Sequence, residues 1–120
     1  MYSTFKVIYD AQSVSVNPVT TTVVPSNETG PSDTYSGQVK NTDGSQTLDC
    51  YIQTSWDGTN WGTSEWAGLT GIAAGETRQF SVATGKARFI RIIGTASGAG
   101  LTASVSVELS YESGTRGGPR

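Results

Sequence analysis

Histidine is absent from this chain of 120 residues. That removes the commonest general base, the Ser/His/Asp and Cys/His catalytic arrangements, and every imidazole metal ligand. Cysteine occurs once, at Cys50, so no disulfide can close within the chain. Charge is scarce too: 15% of residues are charged, against roughly 25% in an average soluble domain. A net charge of −2 gives no positive excess with which to displace counterions from phosphates, which argues against nucleic acid as a partner. No apolar run approaches the ~20 residues of a membrane-spanning helix, and no membrane partner is expected. Residues 1–6 lack the basic region and apolar stretch of a secretory leader, so folding in a cytoplasm is expected.

What replaces the missing charge is small and polar. The chain holds 17 Thr, 15 Ser and 15 Gly, the composition of short strands joined by tight loops. The clearest pattern is Leu101, Ala103, Val105, Val107, Leu109 and Tyr111, six apolar residues at a period of two. A helix would scatter them around its circumference, so they form one half-buried strand. Residues 86–93 are rich in β-branched and aromatic side chains, with Ile90 and Ile92 directed at the core and Phe89, Arg91 and Ile93 away from it. Residues 95–100 are expected to join these two strands as a hairpin. Arg78, Phe80 and Val82 mark another strand, and Leu48, Cys50, Ile52 and Thr54 another, in which Cys50 is a small core residue. Asn41, Thr42, Asp43 and Gly44 read as a hairpin turn from residues 35–40. Residues 5–9, 14–16 and 20–24 are shorter strand candidates, and residues 25–33, with Pro25 and Pro31, form an exposed loop. No helical period and no internal repeat occurs. Seven or eight strands with turns between them predict one all-β domain, an antiparallel β-sandwich of jelly-roll type, over residues 1–111. Residues 112–120 form a Gly/Pro/Arg tail.

Chemistry is hard to place on this pattern. The glycines within residues 71–76 lack the Lys-Ser/Thr of a phosphate loop and read as a turn. Nine of the ten carboxylates fall at turns, strand ends or outward strand positions; Glu65 lies between tryptophans. Asp57, Asn60 and Glu65 have calcium-type oxygens, but ordinary loop polarity is the favoured reading. No catalytic site, cofactor or metal is expected. Arg78, Lys86, Arg88 and Arg91 form either alternating solvated charges or a patch facing an acidic protein surface.

Three tryptophans within eleven residues, Trp56, Trp61 and Trp66, stand out. Asp57 and Gly58 make a hairpin turn after which Trp61 folds back over the end of the core. Aromatic faces also stack on sugar rings, so Trp56, Asp57, Asn60 and Trp66 are candidate carbohydrate contacts. Packing inside is the competing reading for Trp61 and Trp66.

Ser55, Asp57, Gly58 and Trp61, followed by Ala87, Arg88, Phe89, Ile90, Arg91 and Ile92 and the alternating closing strand, carry a resemblance over residues 46–111. The chain resembles the small β-sandwich decoration, or cement, proteins of tailed-bacteriophage heads, and less closely the galactose-binding-like jelly roll of discoidin domains. The discoidin likeness lacks that family's longer N-terminal half. The phage resemblance implies a structural protein on the virion's capsid surface, bridging the major capsid protein and copies of itself in small cyclic oligomers, a trimer being favoured. The segments expected to make contact are residues 1–6, the loop and the tail, with Tyr2, Phe5, Lys6, Arg116 and Arg120 as contact residues. A tail or baseplate component and a carbohydrate-binding module are the alternatives.

Overall fold

The computed structural model describes residues 2–30, 34–62, 69–84 and 87–113, with only the backbone considered for residues 2–6 and 111–113. Seven strands follow one another: β1 (Tyr2–Val16), β2 (Thr21–Glu28), β3 (Thr34–Asn41), β4 (Leu48–Ser55), β5 (Thr77–Ala83), β6 (Phe89–Ala96) and β7 (Leu101–Ser113). They form a four-stranded sheet in the order β1-β7-β3-β5 and a three-stranded sheet in the order β2-β6-β4. Every paired neighbour is antiparallel. Each successive strand lies in the opposite sheet from the one before it, so the chain winds back and forth across the core in jelly-roll fashion. A short stretch, residues 69–72, runs beside β4 where an eighth strand would lie. There the Cys50 amide donates to the Leu69 carbonyl at 2.8 Å, and Leu48 and Ile72 exchange two backbone bonds.

The period-two pattern is what closes the sandwich. Leu101, Ala103, Val105, Val107 and Leu109 are buried on β7 while the residues between them are half-exposed. Ile90 and Ile92 of β6 and Leu48, Cys50 and Ile52 of β4 meet them from the other sheet in one cluster. Burial pushes the Cys50 thiol up to about 12, with the neighbouring Asp49 charge adding to the shift. Tyr35 is fully buried against Phe80, ring centroids 5.8 Å apart, and its hydroxyl has no hydrogen-bond partner among the described residues.

Several sequence expectations change. Residues 41–44 and 95–100 do not make hairpins; both are arches that carry the chain from one sheet to the other. Turn residues with the right φ suit either connection, and the location of each strand's partner decides between them. The first arch is built around buried Asn41, whose Nδ2 donates to the Gln46 and Ile72 carbonyls at 2.8 and 3.0 Å. Its Oδ1 accepts from the Asp43 amide, and Asp43 Oδ2 accepts from the amides of Ser45 and Gln46. The second arch is laced to the first, because Gln46 Nε2 donates to the Ala99 carbonyl and the Thr47 amide donates to Ser97 Oγ.

The N-terminal candidates at 5–9 and 14–16 are one strand of 15 residues, broken in register between Val7 and Tyr9 and between Ala11 and Val14. Those shifts move side chains off the alternating row, which is why the segment reads as two pieces. The predicted loop over residues 25–33 is partly strand: β2 continues to Glu28. Pro25 is tolerated because β2 is an edge strand with a register shift between Val24 and Asn27, where no amide is needed. Residues 31–33 lie outside the described residues. Strand β7 reaches Ser113, pairing Glu112 with Ser3, so residues 112 and 113 of the expected tail are strand; residues 114–120 lie outside the described residues.

Two substitutions report on this packing. Gly37 pairs with Val107 where β3 lies against β7, and a Cβ there would strike the Ser106 carbonyl oxygen and sit 2.9 Å from Val107 Cα. Gly37→Ala is expected to cost ~3 kcal/mol, read as a fall in denaturation midpoint. Tyr35→Phe keeps the ring and deletes the unpartnered hydroxyl, and is expected to raise stability by about 1 kcal/mol in the same assay.

Candidate functional site

The segment from Ser55 to Trp61 folds as expected, into a tight hairpin closed by a bridge between those two residues. Gly58 has φ of 79°, a left-handed conformation that needs glycine. Ser55, at the end of β4, is buried; its Oγ donates to the Asn60 carbonyl at 2.6 Å and accepts from the Gly58 amide at 2.9 Å. Asp57 Oδ1 accepts from the amides of Thr59 and Asn60 at 2.9 and 2.8 Å, and Oδ2 accepts from Asn60 Nδ2. The Asn60 and Thr59 amides hold the Asp57 carboxyl well below the usual carboxylate range. Asp57 and Asn60 therefore spend their polar groups on each other and on the turn.

The hairpin lies over the outer face of the three-stranded sheet. A Cβ on Gly58 would sit 3.5 Å from the Phe89 ring. Trp61 does not enter the core: it is half-buried, with the Arg91 guanidinium 4.1 Å from its ring centroid. Arg91 Nε and Nη2 both donate to Gln53 Oε1, at 3.0 and 2.8 Å, across the β4–β6 pair. Burial draws the Arg91 guanidinium below its ordinary value. Trp56 stands out from the hairpin at 66% exposure, 5.5 Å from the Arg88 guanidinium.

The four-stranded sheet carries an open groove of about 380 Å³. It runs across β1, β7, β3 and β5, past Val7, Glu108, Ser106, Ser36, Gln38 and Gln79. Val7 is 53% exposed. Uncharged hydrogen-bonding side chains dominate this surface, and they meet a partner without the desolvation cost of buried charge.

Of the proposed carbohydrate contacts, Trp56, Asp57 and Asn60 share the hairpin; Trp66 lies outside the described residues. Of the proposed assembly contacts, Tyr2, Phe5 and Lys6 sit on β1 at backbone positions paired with Ser113, Ser110 and Leu109. Arg116 and Arg120 lie outside the described residues. Among the described residues, Arg78, Arg88 and Arg91 do not gather into one patch. Arg78 is bound to the loop before β5, with Nε 2.6 Å from Glu76 Oε2 and Nη1 donating to the Thr70 carbonyl. Arg91 lies on β6 of the other sheet, and Arg88 just ahead of that strand. Lys86 is outside the described residues. Among the described residues no three of His, Cys, Asp and Glu gather as a metal site. The Gln53–Arg91–Trp61 stack and the groove escape sequence reading, because both depend on which strands become neighbours.

No protein-family model matches the chain, and no curated protein matches it. Among solved structures it is similar to a chain from Bacillus endospore appendages, described as a novel family of disulfide-linked pili. The two superpose with a TM-score of 0.63 over 92% of this chain and 88% of that one, at 14% sequence identity. At that identity the likeness is one of fold.

Asp57→Ala is expected to lower the melting temperature at pH 7 by freeing the hairpin amides. A carboxyl held low in the folded state stabilises above its ordinary value of 3.8 and loses that effect as pH falls further. The gap between variant and wild type should therefore narrow below that pH in a series of thermal melts.

Proposed function

We propose that the chain is a structural assembly subunit, and specifically a decoration protein on the outside of a tailed-phage capsid. The observation that carries this reading is where the polar chemistry goes. Asp57, Asn60, Asn41, Asp43 and Glu76 hold turns and loops in place. The outer face of the larger sheet is left as a broad surface on which Ser36, Gln38, Gln79 and Ser106 outnumber the one carboxylate, Glu108, lining the groove. A rigid sandwich of this kind holds neighbours in register. Its β1–β7 ribbon brings residues 2 and 113 side by side. Modest contacts from several such subunits sum to near-irreversible attachment on a repeating lattice. The fold likeness to a pilus chain supports a building-block role. Cys50, however, is fully buried, so disulfide linkage through it is not available to the folded subunit.

Exposed Trp56 favours a second reading, glycan binding, but the neighbouring Asp57 has both carboxylate oxygens engaged by the Thr59 and Asn60 amides and by Asn60 Nδ2. The two separate in one comparison. Expanded, undecorated capsids of the phage that encodes the chain should retain it on sedimentation, and retain markedly less of a chain ending at Ser113. A glycan array should stay blank for wild type and Trp56→Ala alike. Saturable glycan binding lost in Trp56→Ala, or equal capsid retention of the shortened chain, would overturn the proposal.

A further inference from the structure

A sandwich has four sheet edges, and each is a row of backbone donors and acceptors that can accept another strand. Three of the four are blocked here. Strand β1 carries two register shifts. Strand β2 carries two more, and Pro25. The outer edge of β4 is occupied: residues 69–72 bond to it at Leu48 and Cys50, and the Gly62 amide donates to the Thr54 carbonyl. The fourth edge, β5, is different. It pairs with β3 through seven consecutive residues without a shift, contains no proline, and has no strand beyond it among the described residues. Its one charged side chain, Arg78, is tied to Glu76 just ahead of the strand.

The core is also left open beneath it. The inward residues Arg78, Phe80 and Val82 are each only half-buried, whereas Tyr35 and Val39 on the adjoining β3 are fully buried. A strand laid against β5 would extend the sheet and cover that margin.

We propose that β5 is a self-docking edge, pairing antiparallel with β5 of a second copy across a two-fold axis. The second copy is the occupant because, among the described residues, β5 is the only straight, unblocked edge it can offer, and because the strand complements itself. An axis normal to the sheet keeps inner faces together, so only registers that pair residues of the same face are allowed. Full overlap of all seven residues puts the axis at Phe80. Phe80 then meets its own copy, Arg78 meets Val82, Gln79 meets Ser81 and Thr77 meets Ala83. No like charges oppose one another, and an aromatic pair lies at the centre. The result is a continuous eight-stranded sheet through two subunits. This goes beyond the capsid reading, since it concerns how copies meet whether or not a capsid is bound.

The test is sedimentation of the full chain over a rising concentration series. Wild type should shift from monomer to dimer. Gln79→Lys combined with Ser81→Lys places two like-charge pairs across the axis on exposed positions and should weaken dimerisation about tenfold or more, with circular dichroism unchanged. Register is checked by mixing Gln79→Cys and Ser81→Cys proteins: opposite positions should give the mixed disulfide ahead of either homodimer, while buried Cys50 stays silent. A wild type that remains monomeric throughout, a lysine variant that dimerises as well as wild type, or homodisulfides forming as fast as the mixed one would each overturn the proposal. None of these outcomes depends on capsid retention.

Discussion

Each strand of this chain has one apolar side, and hiding those sides is the constraint from which the rest follows. A single sheet built from such strands would leave one whole face wet. Two sheets laid face to face bury both, and the buried rows of β7, β6 and β4 form one cluster as a result. At roughly 25 cal/mol per Å² of apolar surface removed from water, rows of this size are the dominant favourable contribution. Polar residues are thereby confined to loops and outer faces. There they can either fix the chain's path or meet another molecule, and the hairpin and arches take most of the stronger groups for the first task.

Much of this was legible in advance, for a plain reason. Burial on one side leaves a period of two, and Leu101 to Leu109, Ile90 and Ile92, and Leu48 to Ile52 all show it. Asp57-Gly58 was readable as a turn because its φ requirement is local. What the pattern does not encode is which strand lies beside which. Asn41 to Gly44 satisfies a tight turn whether the chain returns to the same sheet or crosses to the other, and here it crosses. Register shifts hid the continuity of β1, because each shift moves the following residues to the other face.

The candidate site divides along the same line. The Ser55–Trp61 bridge is local and was foreseen; the placement of Trp61 was not. Its indole lies over Arg91, thirty positions later in the chain and held by Gln53 from a third segment. Only the β4–β6 register brings those three together. The groove has the same origin, since Val7, Ser36, Gln79 and Ser106 come from four strands that are distant in sequence.

The strand order also sets a timetable. β7, the last strand made, lies between β1, the first, and β3. During synthesis β1 has no permanent partner, and its fifteen residues wait until β7, six strands later, has been made. Such distant pairing slows folding. It also makes the newborn chain a natural client for chaperones, which must shield one bare ribbon until its mate emerges.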